Sequence, residues 1–429
     1  MISISLLFML FAGIVFLGYV LNALFYKLKV SNIIMLLLIG VAIGPLLHLV
    51  NTSPNSTIVQ ISPLVTAIAL AFVLFDVGMN IKISSLASVF KSASAYTLLV
   101  SILTGAAATA MLYDFEGWGL LASLMIGFAL SGTSSITLPL LFKAIRVSDN
   151  LKTTLAFQSV FNDIFSLVLP LIFFNILATG KYSLNFIIGE IGGFTLGSLI
   201  LGVVFAAFWV FVLREFKQYS SEYSWMLTMT IVLAVYGTSQ YLNFNGALSA
   251  FIFGILLTNI PDMKFLVKRV FKPVLEDISH IQLYQKEVTF FVSTFFFVYI
   301  GMLFTFQGLQ YTIIALALGI CVIMLLVRYV ASGTLKGIIS RDRHKGSDTL
   351  ITRFYIAQGL APAIVATLPA TIGLSLPGMV NIVFMVLLIS NAVLSIGLYL
   401  YANQREREGE EETKQGVQEA KSGSATKKT

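Results

Sequence analysis

Charged residues are scarce in this chain: Asp, Glu, Lys and Arg make up 11% of its 429 residues, whereas hydrophobic residues make up 57%. A soluble domain has about 25% charged residues, so this composition excludes an ordinary water-soluble protein. Apolar segments recur from Ile2 to Tyr401 and leave no room between them for a large soluble domain. Because each segment is apolar along its whole length, we predict an all-α membrane protein.

Cysteine and histidine are also scarce, and this limits the possible chemistry. Cys321 is the only cysteine, so no disulfide can form within the chain. His48, His280 and His344 lie in separate loops or segment ends and form no metal-binding cluster. The sequence has no GxxxxGK(S/T) or GxGxxG run for a nucleotide, and the serines at 131–135 have no His or Lys in register to activate them. We therefore expect neither an enzyme nor a cofactor.

About thirteen apolar segments are long enough to cross a bilayer, at about 17–25 residues each. Their approximate ranges are 3–25, 30–50, 58–81, 87–112, 117–142, 151–178, 184–212, 224–241, 243–260, 288–308, 310–332, 350–373 and 376–401. Lys and Arg concentrate in alternate loops, which predicts a cell-membrane protein with an outer N-terminus and a cytoplasmic C-terminus. The formal charge of +7 lies in these short loops, so it indicates topology and attraction to membrane lipid rather than nucleic-acid binding.

Two segments differ from this pattern. Residues 261–287 mix basic and apolar residues at roughly helical spacing, which predicts an amphipathic helix on the inner membrane face, either a connector or a regulatory element. Residues 403–429 are charged and poor in apolar residues, which predicts a disordered cytoplasmic tail. Residues 1–402 then form the transmembrane domain.

Asp163 is the ionisable residue placed deepest in a predicted span. It follows Asn162 in the run LAFQSVFNDIFSLVLPLIFF, near the estimated middle of the membrane. A carboxylate there costs about 2.5–3.5 kcal/mol on insertion scales, so it faces a cavity or a partner rather than lipid. The residue therefore indicates a cation or proton site. Asp76 and Arg328 lie near the inner ends of their spans, and we expect both side chains to extend to the interface.

Glycine and proline interrupt two of the predicted spans. Residues 129–142 of the fifth span contain Gly132, and residues 357–370 of the twelfth contain Gly359 and Pro362. The two spans run in opposite directions by the loop count, which predicts an inverted-repeat transporter with two broken helices crossing at mid-membrane. Breaks free backbone groups that can face an ion only where they line a cavity. The alternative is that glycine and proline are simply tolerated in membrane helices.

Five runs give the chain a family resemblance: QSVFNDIFSLVLP at 158–170, SGTSSITLPLLF in the fifth span, LFDVGMNIKI at the end of the third, GALSAFIFGILLTN in the ninth and FFFVYIGMLF in the tenth. In this order and spacing they resemble the monovalent cation/proton antiporters of the sodium/proton exchanger superfamily, in the branch with an Asn-Asp signature. The resemblance covers nearly the whole chain. It implies a homodimer, an immobile interface domain, a mobile six-helix core that carries the site between the two faces, and a role in pH homeostasis.

The chain departs from typical members of that branch at three positions. Ser134 follows Thr133 where an Asp is common. Gln158 stands where a Glu is common, and Gln358 aligns with an Arg of the break in the twelfth span. The Glu and Arg of typical members form an ion pair, and here both are neutral, so the burial costs stay balanced. We expect a hydrogen bond between the two glutamine amides to replace the pair.

These residues predict a secondary antiporter that exchanges sodium, or another monovalent cation, for protons. A desolvated Asp163 carboxylate would hold either a proton or a cation, and competition between the two would give obligatory, electroneutral exchange. Ser159 and Thr133 would supply further oxygen ligands. Asn162 would hold the two broken helices by capping their free backbone groups, and Arg353 would either counter-charge the cavity mouth or extend to the interface.

Two alternative functions use the same inverted-repeat fold. A cation channel or an exchanger-like sensor is favoured by the missing second acidic residue at Ser134. A transporter of small organic anions would need a cationic residue at the breaks, and Arg353 is the only candidate.

The loop charges generate a prediction about topology. We expect a peptide tag added after Thr429 to bind antibody only after cells are permeabilised, because the basic loops place the C-terminus in the cytoplasm. A tag placed before Met1 should bind antibody on intact cells. Labelling of the C-terminal tag on intact cells would contradict the predicted orientation.

Overall fold

The computed structural model describes, at least for the backbone, residues 12–21, 30–50, 56–81, 90–134, 149–180, 184–215, 224–259, 272–307, 309–335 and 345–425, together with residues 9, 23, 137 and 141. Every regular element within these residues is a helix. A helix satisfies its backbone hydrogen bonds internally, and a bilayer offers no water to satisfy them otherwise. The prediction of an all-α protein is therefore confirmed for the part of the chain that the structure describes.

The helices are numbered in chain order. They are α1 (Ala12–Leu21), α2 (Asn32–Val41, continued by a π-helical turn at Ala42–Leu46), α3 (Thr57–Gln60), α4 (Ser62–Met79), α5 (Phe90–Glu116), α6 (Leu120–Ala129), α7 (Asp149–Thr179), α8 (Leu184–Glu215), α9 (Ser224–Tyr241), α10 (Gly246–Asn259), α11 (Lys272–Leu303), α12 (Tyr311–Ala331), α13 (Lys345–Phe354), α14 (Leu360–Thr371) and α15 (Met379–Ala425).

Six of the described helices, α4, α5, α8, α11, α12 and α15, contain an apolar stretch long enough to cross a membrane. Six further apolar stretches are shorter, at 10–17 residues, and two of them are α6 and α14. Both of these short helices border non-helical residues, and it is there that polar side chains gather.

Glycines allow two pairs of helices to approach closely. Gly78 of α4 and Gly254 of α10 each face a backbone carbonyl of the other helix, and Gly40 of α2 and Gly301 of α11 do the same. A methyl group at any of these four positions would overlap that carbonyl oxygen. Small residues at helix contacts give close packing inside a membrane, where the hydrophobic effect does not drive association. The two pairs are therefore tightly packed units.

Side chains from neighbouring helices fix the end of α4. Thr258 Oγ1 and Gln282 Nε2 donate hydrogen bonds to the carbonyl oxygen of Met79 at 2.9 and 3.2 Å, and Asn259 Nδ2 donates to that of Ile81 at 2.6 Å. The last carbonyls of a helix have no partner within the helix, so these bonds satisfy groups that would otherwise be exposed. The end of α4 is thereby attached to α10 and α11.

Two long helices differ from the sequence expectations. α11 begins at Lys272 and continues to Leu303, so residues 272–287 of the expected surface helix form one helix with the tenth apolar segment. Residues 260–271 lie outside the described residues. α15 continues to Ala425 and thus extends into residues 403–425, for which we expected disorder. This stretch is rich in Glu, Gln and Lys, which have high helix propensity. The domain boundary after residue 402 stays a prediction.

Candidate functional site

Two non-helical stretches, residues 130–134 after α6 and residues 355–359 between α13 and α14, lie against each other. The backbone N–H of Ser134 donates a hydrogen bond to the carbonyl oxygen of Ala357 at 2.9 Å. Gly359 is packed against Ser134, since a Cβ added at Gly359 would lie 2.6 Å from the Ser134 hydroxyl oxygen. A glycine is therefore needed at 359 for the two stretches to approach this closely.

Gln358 joins the two stretches through its amide. Its Nε2 donates hydrogen bonds to the carbonyl oxygens of Gly132 at 2.6 Å and Leu130 at 3.2 Å. These carbonyls follow the end of α6, where no helical N–H reaches them. The backbone of Gln358 is held in turn, because its N–H donates to Ser390 Oγ at 3.2 Å and its carbonyl accepts from Asn391 Nδ2 at 3.0 Å.

Arg328 and Tyr355 form a second support beneath the same stretch. The Tyr355 hydroxyl donates to the carbonyl oxygen of Ser134 at 2.6 Å, and the Arg328 guanidinium lies 5.5 Å from the centre of the Tyr355 ring. Arg328 Nη1 donates to the carbonyl oxygen of Thr352 at 3.1 Å. We expected Arg328 to extend to the interface, and that expectation is wrong: the side chain is only 2% exposed.

Asn162 of α7 connects α5 to the first stretch. Its Nδ2 donates to Thr133 Oγ1 at 3.1 Å, and its Oδ1 accepts from Ser101 Oγ at 2.7 Å. All three side chains are buried. Asn162 thus bonds the Thr133 hydroxyl, and not the Thr133 backbone carbonyl as capping of a free backbone group would require.

A small cavity of about 20 Å³ lies between the two stretches, α4 and α7, which is room for about one water molecule. Its polar lining includes Thr133, Ser134, Ser166, Gln358 and Asp76. Within the described lining there is no cationic side chain. The described polar lining thus consists of one carboxylate, one amide and hydroxyl groups.

Asp76 is the site residue that the sequence analysis missed. We expected its side chain to extend to the interface, but it lines the cavity beside Thr289 of α11. Its carboxylate interacts with the side chains of Asn80 and Thr289 and with the charge of Lys286. The available signal was a carboxylate in an apolar span, the same signal that identified Asp163. Because Asp76 lies near the end of its span, the sequence favours a side chain that extends to the interface.

One face of α7 carries the remaining expected residues at helical spacing. Gln158, Ser159, Asn162 and Ser166 are all buried there. The backbone of Asp163 belongs to α7, but its side chain lies outside the described residues. Ser159 Oγ has no hydrogen-bond partner among the described side chains, and unlike Ser166 it is not part of the described cavity lining.

The expected hydrogen bond between the two glutamine amides is absent. Among the described residues, Gln158 has no hydrogen-bond partner on either amide atom, and neither does Gln358 Oε1. The amide N–H groups of Gln358 are used by the carbonyls after α6 instead. One member of the neutral pair is therefore bonded to the backbone, and the other is buried without a partner among the residues that the structure describes.

Arg353 does not reach the cavity. Its guanidinium lies 4.2 Å from the centre of the Tyr329 ring, and its Nε donates to Ser332 Oγ at 3.3 Å. The interpretation in which Arg353 counter-charges the cavity mouth is therefore wrong, and the residue packs against the end of α12.

Comparison with known proteins agrees with this architecture. The profile of the family described as "Sodium/hydrogen exchanger, transmembrane" matches residues 11–403. The structure of the sodium proton antiporter MjNhaP1 from Methanocaldococcus jannaschii at pH 8 is similar with a TM-score of 0.72 and 18% sequence identity, over 93% of this chain and 98% of that one. A second MjNhaP1 structure, from electron microscopy, has a TM-score of 0.68 and 18% identity, over 94% and 98% of the two chains.

The two buried glutamines generate a prediction about stability. We expect Gln358→Leu to destabilise the protein by about 1–3 kcal/mol, because the carbonyls of Leu130 and Gly132 lose their donor. Gln158→Leu is the matched control and should be neutral or stabilising, because the amide it removes has no partner among the described residues. Thermal unfolding of both variants in one detergent measures the difference. Equal losses would contradict the assigned hydrogen bonds.

Proposed function

The chain belongs to the sodium/hydrogen exchanger family, and on that premise we propose that it is a multi-pass membrane antiporter that exchanges sodium, or another monovalent cation, for protons. Members of this family are transporters and not enzymes. The observation that carries the proposal is the small polar cavity between the two non-helical stretches, lined by a carboxylate and hydroxyl groups.

We assign the two stretches to the crossed broken helices of an inverted repeat within thirteen spans, with an outer N-terminus and a homodimeric assembly. Support comes from the direct bond between Ser134 and Ala357 and from the short helices α6 and α14 beside them. The similarity to MjNhaP1 supports the same fold. Broken helices leave backbone groups free, and here those groups are satisfied by Gln358, which keeps the crossing rigid.

Asp163 is the proposed shared ligand for the cation and the proton. It follows Asn162 on α7, and the Asn162 amide bonds Thr133 beside the cavity, which supports position 163 as part of the site. The hydroxyl groups of Thr133 and Ser159 and the carboxylate of Asp76 are the further oxygen ligands that we propose. Hard cations prefer such oxygen ligands.

Exchange follows from competition for one carboxylate. A desolvated carboxylate binds either a proton or a cation, because both neutralise the same charge. The neutral Asp163 can then cross between faces, whereas the empty anion is held back by the cost of moving a bare charge into a water-excluded region. Alternating access of one occupied site therefore couples proton movement to cation movement.

Asp76 is proposed to be a cation ligand in this cycle. It lies on α4, which packs closely on α10, and Lys286 already provides a compensating charge. We therefore assign Asp76 to holding the cation and Asp163 to cycling between the cation and the proton. The resulting exchange is one cation for one proton and is electroneutral.

The first prediction about transport concerns Asp163 itself. Asp163→Asn should abolish cation-driven proton flux in proteoliposomes while the protein remains folded, because an amide neither takes up the proton nor supplies the anion. Asp114→Asn removes an exposed carboxylate and should leave flux unchanged. Flux through purified Asp163→Asn at the normal rate would rule out this residue as the carrier.

The second prediction about transport concerns the net charge that one exchange cycle moves across the membrane. A potassium–valinomycin potential should not move the sodium gradient at which net proton flux reverses, because a one-for-one cycle moves no net charge. A cycle that moved one net charge would shift by about 2.3 kcal/mol per 100 mV. Such a shift would mean that a second group titrates, and Asp76→Asn would then be expected to abolish the shift.

A further inference from the structure

A second cavity lies in line with the first along the same three helices. It has a volume of about 220 Å³ and includes residues 63–70 of α4, 171–175 of α7 and 368–371 of α14 in its lining. The small site cavity is lined by residues 73–77, 166–167 and 360–362 of those helices. On each helix the two sets follow each other, so the cavities form successive parts of one cleft. In the proposed topology the larger cavity lies on the outer side.

Buried apolar side chains lie where the two sets of lining residues meet, and we call these side chains the apolar layer. It consists of Leu70 of α4, Leu167 and Leu171 of α7, and Ile364 of α14, which are all buried in one hydrophobic core. A cation cannot cross such a layer without losing the oxygen atoms that surround it on either side, so the layer is a barrier while it stays packed.

A hydrogen bond joins two of these helices at the floor of the larger cavity. The hydroxyl oxygens of Thr66 on α4 and Thr367 on α14 are 2.8 Å apart, and both side chains are buried. Thr367 Oγ1 donates its proton to the carbonyl oxygen of Ile364 at 2.7 Å. Thr66 is therefore the donor and Thr367 the acceptor, and the bond has a fixed direction.

We propose that the Thr66–Thr367 bond holds the apolar layer closed and so controls access from the larger cavity to the site. The proposal rests on the antiport function given above and adds the pair of residues that sets the outer barrier. α4 is fixed to α10 and carries Asp76, whereas α14 follows the stretch that carries Gln358. Opening a path between the cavities requires α4 and α14 to separate, and this separation breaks the bond.

The test measures access to the site without measuring transport. Cys321→Ser removes the only cysteine, and Val73→Cys then places a single thiol in the site cavity without changing the apolar layer. The reaction rate with a membrane-impermeant thiol reagent is compared in right-side-out vesicles with and without Thr66→Val. We expect Thr66→Val to speed this reaction about three- to tenfold, the effect of losing one net hydrogen bond from the closed state.

Three control variants separate the bond from other effects of substitution. Ala67→Cys reports on the larger cavity and should react at the same fast rate with or without Thr66→Val. Thr371→Val removes a hydroxyl from that cavity whose bond is to Leu368 of its own helix, so it should not change the site reaction. Thr66→Ser keeps the donor and should restore the slow rate.

The proposal is overturned if Thr66→Val leaves the reaction of the site thiol unchanged, or if Thr371→Val speeds it equally. Val77→Cys is the second site reporter should Val73→Cys fail to fold. Reaction of Ala67→Cys only in inside-out vesicles would overturn the outer placement of the larger cavity. Because labelling needs no ion flux, an inactive exchanger would refute the antiport function without altering this result.

Discussion

The absence of water in the bilayer interior is the constraint on which this structure depends. A helix that stops inside the membrane leaves carbonyl and N–H groups with no solvent to bind. Here the carbonyls after α6 are satisfied by the Gln358 amide, and the N–H of Ser134 by the carbonyl of Ala357. Each interrupted stretch therefore supplies the partners that the other one lacks. The cavity exists because the two stretches stabilise each other.

Two kinds of contact surround the two non-helical stretches: close backbone packing at glycines and hydrogen bonds from single side chains. The α4–α10 and α2–α11 pairs are packed through glycines against backbone carbonyls, which leaves little room for sliding. The polar contacts that reach the non-helical stretches come instead from single side chains, such as Asn162, Tyr355 and Asn391. Directional bonds of this kind can be exchanged for others when helices move, whereas interlocked backbones cannot.

Sequence reasoning predicted the all-helical fold and found glycines at the two non-helical stretches, because both follow from local composition. The thirteen spans and the crossing of two broken helices stay predictions. Apolar length predicts a spanning helix, and glycine near 132 and 359 marks where the helices stop. It failed for Asp76 and Arg328, which both lie near span ends. Position along a segment shows how far a side chain is from water, but not which neighbouring helix covers it. The predicted hydrogen bond between the two glutamines was wrong for a related reason. The backbone carbonyl of Gly132, which Gln358 binds instead, cannot be recognised as a competing acceptor from the sequence.

The amide of Asn162 has a consequence for the order of the Asn-Asp pair. Its oxygen accepts from Ser101 while its nitrogen donates to Thr133, so the orientation of the amide is determined by its two neighbours. A carboxylate at 162 has no N–H to donate, so the Thr133 hydroxyl would have to change from acceptor to donor, and a negative charge would lie between two hydroxyl groups. Asn162 and Asp163 are therefore not interchangeable. A chain in which the two residues were exchanged would keep its composition, its length and its hydropathy, but it would move the charge from position 163 to the contact between α5 and the first non-helical stretch.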